Sequence, residues 1–171
     1  MRTERSGRHL VGPIPLSGIM TIRTHSDDTI VRLSAETSLL VVSDSYVGAL
    51  LTSDTDAEGA HLVTDSDRVA ARTPDSVRTT VGNVTAAETL DLVTDATVAV
   101  VALQRDQQTL LVTQLLRKQS EIDTIVILLN DPERREAFEH LANSIVCVPT
   151  CLSTELNNTL EQILPELPSH S

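Results

Sequence analysis

Residues 43–48 are the clearest candidate for binding chemistry in the sequence. The strand predicted at Ser38–Val42 runs into Ser43-Asp44-Ser45-Tyr46-Val47-Gly48, and an apolar helix start follows. At this strand–turn–helix position, dinucleotide-binding proteins carry G-x-G-x-x-G, whose glycines let backbone N–H groups approach a pyrophosphate. Here Ser43 and Ser45 occupy the first two glycine positions, and Gly48 the third. We therefore predict a phosphate-binding type of turn in which two side chains and the Asp44 charge oppose close approach of a pyrophosphate.

Polar residues also follow the next two predicted strands. Asp65 ends the short run Ala60–Asp65, 17 residues after Gly48, close to where such folds place a carboxylate that holds ribose hydroxyls. Gly82 and Asn83 end the run Val77–Val81. These residues extend the candidate nucleotide site. The alternative for Asp65 is that it begins a turn in an acidic chain.

The second half of the chain supplies the elements that would position such a site. Short β-branched runs at Ala96–Leu103 and Ile122–Leu129 alternate with helical patterns at Gln107–Lys118 and Pro132–Leu141. A further run, Ser144–Pro149, leads to a helical pattern, with Asp131 as the N-cap of the preceding helix. This alternation indicates βαβ units and a parallel sheet. A shorter helix is predicted at Thr85–Leu92, with Thr85 as its N-cap.

Composition limits the classes of partner. The 171 residues carry 24 acidic and 13 basic side chains, a net charge of −11, and Lys118 is the single lysine. No basic stripe is present to contact phosphates, so we expect no nucleic acid. An acidic, lysine-poor composition is typical of proteins from extreme halophiles, although an ordinary acidic protein is the alternative. The longest apolar runs are about eight residues, short of the ~20 that a membrane helix needs, and we expect no membrane insertion.

Metal and catalytic motifs are weak. Cys147 and Cys151 form C-x₃-C, which leaves a disulfide or half a metal site open, but no second Cys/His pair lies at zinc spacing. No histidine follows a strand end together with a partner, and no nucleophile or zinc-protease motif is present. We therefore expect neither a metal nor an enzyme. A small NAD-dependent oxidoreductase is the least favoured alternative.

The succession of turns resembles the TrkA N-terminal domain family, the RCK-type modules that regulate potassium transporters and channels. The resemblance rests on features that occur in the family's order, namely Ser43–Gly48, Asp65, Gly82-Asn83, Val98–Asp106, Asn130-Asp131-Pro132-Glu133 and Val148-Pro149. It covers about residues 38–160. Asn83 replaces the usual acid, and Thr109 stands where the family often has Asn. With the acidic composition, the resemblance suggests a member of haloarchaeal type.

The resemblance implies a three-layer α/β/α Rossmann-like doubly wound parallel sheet with strand order 3-2-1-4-5-6. It would occupy residues 38–164, between an N-terminal tail over 1–37 that could hold an extra strand and a C-terminal tail over 165–171. It further implies a cytoplasmic regulatory module that senses a nucleotide and controls potassium transport. The ligand would be ADP, ATP or NAD at Ser43–Gly48, Asp65, Gly82 and Asn83.

Binding of no ligand is equally compatible with the resemblance, since the departures from the family pattern fall in the turns that would hold the nucleotide. The alternative function is therefore an interaction module that kept the fold and lost the nucleotide. The resemblance implies a potassium-transporter membrane subunit or a channel as partner, and a homodimer. The helical pattern Leu152–Leu164 would cover the sheet edge or pair with that partner.

Overall fold

The computed structural model describes residues 20–22, 31–33, 38–54, 59–93, 96–118 and 122–163. Two short strands lie among the described N-terminal residues, β1 (Met20–Ile22) and β2 (Val31–Leu33), and they pair antiparallel as a sheet of their own. The extra strand expected in this region is thus one half of a two-stranded ladder, and it does not join the main sheet.

Six parallel strands form the main sheet. They are β3 (Leu39–Ser43), β4 (His61–Thr64), β5 (Arg78–Val81), β6 (Val98–Ala102), β7 (Thr124–Leu129) and β8 (Ser144–Cys147). Their order is β5-β4-β3-β6-β7-β8. Counted from β3, this is 3-2-1-4-5-6, so the predicted Rossmann-like fold and strand order are confirmed.

A helix follows each strand of the main sheet. They are α1 (Tyr46–Ser53), α2 (Asp67–Ala70), α3 (Ala87–Leu90), α4 (Asp106–Lys118), a 3₁₀ helix (Pro132–Phe138) and α5 (Val148–Ile163). Asp131 is the N-cap of the 3₁₀ helix, as predicted, because its side chain accepts from the Glu133 N–H. No helix among the described residues is long and apolar enough to cross a membrane.

The apolar residues of the central strands divide between two cores. Along β3, Leu40 and Val42 face one core, and Leu39 and Val41 face the other. All four are buried, which is the pattern expected for a parallel strand covered on both faces. The first core is the larger and includes Phe138, which is 1% exposed.

One predicted helix detail is wrong. Thr85 does not cap α3, whose N-cap is Ala86 with no side-chain hydrogen bond. The Thr85 N–H and hydroxyl both donate to the Asn83 side chain, so this turn is organised by Asn83. The helical pattern at Leu152–Leu164, for which the sequence left open covering the sheet edge or pairing with a partner, lies in α5 as far as Ile163. This helix begins directly after β8 and has no buried residue.

We expect Leu40→Ala to lower the free energy of unfolding by about 2–5 kcal/mol, because it leaves a cavity between β3 and the larger core. Leu111→Ala is the matched control. Leu111 is 43% exposed on α4, and the change should cost less than about 1 kcal/mol. Urea unfolding of both variants measures the difference. Equal costs would contradict the assignment of these two residues to core and surface.

Candidate functional site at the crevice between β3 and β6

The site is located where the strand order reverses. The chain leaves β3 and returns as β4 on one side, whereas β6 pairs with β3 on the other. In open parallel sheets, ligands bind outside the carboxyl ends of the strands at such a point. Here two loops border that crevice, the β3–α1 loop at Asp44-Ser45 and the β6–α4 loop at 103–105.

Ser43 fills the space beneath the first loop. Its side chain is fully buried, and its Oγ donates to the Ala102 carbonyl oxygen at 2.9 Å. The same Oγ accepts from the Ser45 N–H at 3.2 Å. The Ser45 N–H is a backbone donor of the β3–α1 loop, and the Ser43 side chain therefore occupies it. The serine at the first glycine position thus joins β3 to the end of β6.

Gly48 is required because Ser43 lies so close. A Cβ added to Gly48 would stand 2.4 Å from the Ser43 Cβ and 2.8 Å from its Oγ. Such separations force a neighbour to shift. The third glycine of the pattern therefore keeps its packing role, in which α1 approaches β3 closely, while the first two positions carry serine.

Asp44 crosses the crevice. Its two carboxylate oxygens accept from the Gln104 backbone N–H at 3.0 and 3.2 Å. This Asp44–Gln104 contact joins the β3–α1 loop to the β6–α4 loop, which are 60 residues apart in sequence. A carboxylate oxygen here has the chemistry of a phosphate oxygen, since both are anionic acceptors for backbone N–H groups.

The charge of the crevice opposes a polyanion. Burial is the main cause that raises the pKa of Asp44 above its ordinary value, and the negative charge of Asp65 raises it further. The Gln104 N–H and the Arg105 charge act in the opposite direction. Two carboxylates therefore act on the space that a pyrophosphate would enter, and Arg105 offsets them in part.

The other predicted site residues lie along the same edge of the sheet. Asp65 follows β4 and is exposed, and Gly82 and Asn83 follow β5. Tyr46 and Val47 are 44% and 41% exposed at the start of α1, where the Arg72 guanidinium lies 4.3 Å from the centre of the Tyr46 ring. Asn83 is committed to Thr85 by hydrogen bonds. The structure thus brings the predicted residues to one edge, but several of their polar groups already have partners within the chain.

Sequence reasoning missed the role of Asp106. This acid is only 7% exposed at the first position of α4. Its carboxylate accepts from the backbone N–H groups of Asn130 at 3.0 Å and Asp131 at 2.9 Å. The Asn130 side-chain amide donates to the same carboxylate at 3.1 Å and to the Leu103 carbonyl oxygen at 2.9 Å. An acid at the start of a helix that follows a buried strand was the available signal.

Catalytic and metal chemistry receive no support from the described residues. His61 lies within β4, and its Nε2 is 2.8 Å from the Thr80 hydroxyl oxygen. Burial, and secondarily the Arg78 charge, lower its pKa, so it is a neutral core histidine at pH 7. Within the described ranges no three His, Cys, Asp or Glu residues are grouped to hold a metal ion. Cys147 and Cys151 are both free thiols.

Comparisons with known proteins identify relatives of the fold. A family model described as TrkA-N domain matches residues 39–149. The NAD(P)-binding domain of an exopolyphosphatase-related protein from Archaeoglobus fulgidus has a TM-score of 0.63 and 14% identity, over 74% of this chain and 98% of that chain. The TrkA-N domain of the inner membrane protein ybaL from Escherichia coli has a TM-score of 0.62 and 19% identity, over 72% and 96%.

A third structure, of GsuK bound to ADP, has a TM-score of 0.53 and 17% identity. It is matched over 67% of this chain and 32% of that chain, so the chain spans about a third of GsuK's length. No curated protein sequence matches the chain. At these identities the structural similarities support the fold.

We expect Gly48→Ala to destabilise the domain by about 1–3 kcal/mol through overpacking against Ser43. In a Ser43→Gly background the same change should cost clearly less, because both clashing atoms are gone and only the 3.1 Å approach to Leu62 remains. A double-mutant cycle by urea unfolding measures the coupling. An equal cost in both backgrounds would show that Ser43 is not what requires glycine at position 48.

Proposed function

Because the chain belongs to the TrkA-N domain family, we propose that it is a cytoplasmic regulatory domain that controls potassium transport. The observation that carries the proposal is the family match over residues 39–149, which runs from the first residue of β3 into α5. Its direct partner would be the membrane subunit of a potassium transporter or a channel. The domain would act through binding and shape, since the described residues offer no catalytic arrangement.

The ligand that the geometry supports best is an adenine nucleotide bound mainly through its ribose. Asp65 is exposed at the carboxyl end of β4, where a carboxylate can accept hydrogen bonds from ribose hydroxyls. The phosphates would make weak contacts, because Ser43 and Asp44 already hold two N–H groups beside the crevice, those of Ser45 and Gln104. Support from relatives comes from the GsuK structure with ADP and from the Archaeoglobus NAD(P)-binding domain. ADP or ATP suits this loop better than NAD.

A second candidate function is an interaction module with no nucleotide. The Asp44–Gln104 contact favours it, because a group of this chain already joins the two loops that a pyrophosphate would contact. In this case the domain would transmit a signal only through its protein interfaces.

The interface that we propose is the apolar stripe of α5, which we define as Leu152, Leu156, Leu160 and Ile163. These residues recur at helical spacing and are 58%, 54%, 51% and 55% exposed. Four large apolar side chains left in water on one face are the pattern of a helix that pairs with another chain. A homodimer through this stripe agrees with the family resemblance.

For the nucleotide, we expect saturable binding of ADP in calorimetry at about 3 M KCl, where the acidic surface is screened. Asp65→Ala should weaken binding at least about tenfold, because it removes charged hydrogen bonds to the ribose. Asp67→Ala is the control, since it removes the same charge from an exposed position two residues away. Failure of ADP, ATP and NADH to bind at millimolar concentration would reject the sensor and leave the second candidate.

For the interface, we expect Leu156→Glu to shift the domain from dimer to monomer in sedimentation velocity, because it places a charge within the apolar stripe. Asn158→Glu adds the same charge on the opposite face of α5 and should leave the dimer intact. A monomeric wild-type protein, or a dimer unaffected by both changes, would contradict an interface at α5.

A further inference from the structure

We propose that the Asp44 carboxylate is an internal competitor for nucleotide phosphate, which joins the β3–α1 and β6–α4 loops whenever the crevice is empty of ligand. The inference deepens the proposed function and rests on it, since it concerns how the same crevice is regulated. It assigns Asp44 as the residue that decides whether the domain accepts a dinucleotide.

The first step is the position of the carboxylate. Asp44 lies between the two serines that replace glycines, two residues before the start of α1 at Tyr46. In the glycine-rich form of this turn, the pyrophosphate accepts from backbone N–H groups at this point. In this chain an anionic oxygen of Asp44 is held 3.0 Å from a backbone nitrogen on the far side of the crevice. The Asp44 carboxylate and a pyrophosphate would therefore accept hydrogen bonds from the same kind of donor in the same place.

The second step is that two of the backbone donors beside the crevice are already used. The Gln104 N–H is taken by both Asp44 oxygens, and the Ser45 N–H is taken by the Ser43 hydroxyl. A phosphate could gain these donors only by displacing a side chain of the protein. Because the Ser43 hydroxyl also donates to the Ala102 carbonyl oxygen, its displacement would break that buried hydrogen bond as well.

The third step is charge. A phosphate that entered while Asp44 stayed in place would meet its carboxylate at short range, with the Asp65 carboxylate acting in the same direction. Arg105 is the charge that opposes them. Removal of the Asp44 carboxylate therefore frees a donor and removes a repulsion at the same time. The substitution Asp44→Asn would remove the repulsion but keep an oxygen acceptor for the Gln104 N–H.

This difference provides the test. Binding of NADH and ADP is measured by calorimetry for the wild type, Asp44→Asn and Asp44→Ala. We expect Asp44→Ala to bind at least about tenfold more tightly than the wild type, and Asp44→Asn to lie between them. Asp123→Ala is the control. It removes one exposed carboxylate just before β7, at the amino ends of the parallel strands and therefore away from the crevice, and it should leave binding as in the wild type.

The outcomes separate this inference from the proposed function. If the wild type binds ADP and Asp44→Ala binds it no better, the competitor is rejected and the sensor stands. If only the Asp44 variants bind, the competitor is supported and the wild type is the nucleotide-free module. If no protein binds either nucleotide, both are overturned. Circular dichroism checks that each variant is folded, and the two substitutions at Asp44 guard against one that fails to fold.

Discussion

The parallel pairing of β3 with β6 is the constraint on which the site depends. It sets Ser43 opposite Ala102 in register, so the loops that follow the two strands leave the sheet side by side. Both strands are buried on both faces, and a slip of one residue would turn each strand's two apolar sets toward the wrong cores. The crevice at their carboxyl ends is therefore fixed by the packing of the cores, before any ligand is considered.

Several polar groups above this pairing have hydrogen-bond partners within the chain. Ser43 and Asp44 cross from the β3 side to Ala102 and Gln104, and Asp106 ties the start of α4 to the turn after β7. At the carboxyl ends of the strands, from β3 to β7, carboxylates thus accept hydrogen bonds from the backbone N–H groups of neighbouring loops. A nucleotide that bound these N–H groups would have to replace protein contacts. The regulatory proposals follow from that competition and from the exposed stripe on α5.

The fold was predictable because it rests on local patterns. Short β-branched runs, helical spacing and the Asp131-Pro132 helix start all depend on neighbouring residues, and the strand order followed from the family resemblance.

The site was predictable only as a set of positions. The sequence indicated that Asp44 would repel a phosphate, but not that it accepts from Gln104, because that contact spans 60 residues. Asp106 was missed for the same reason, and the Thr85 cap failed because α3 begins only at Ala87 and the Thr85 hydroxyl donates to the Asn83 side chain. An amphipathic pattern alone cannot tell whether a helix such as α5 faces its own core or another chain.

The most direct test of the account is hydrogen exchange at the backbone N–H of Gln104, followed by NMR in the wild type and in Asp44→Ala. If Asp44 joins the two loops, we expect this amide to be protected in the wild type and to exchange at least about tenfold faster in the variant. The backbone N–H of Asn143 is the control. It lies directly before β8, donates to the Ile125 carbonyl oxygen of β7 at 2.8 Å, and its exchange should be the same in both proteins. A Gln104 amide that exchanges equally fast in both proteins would contradict the claim that the crevice is held by the protein's own carboxylate.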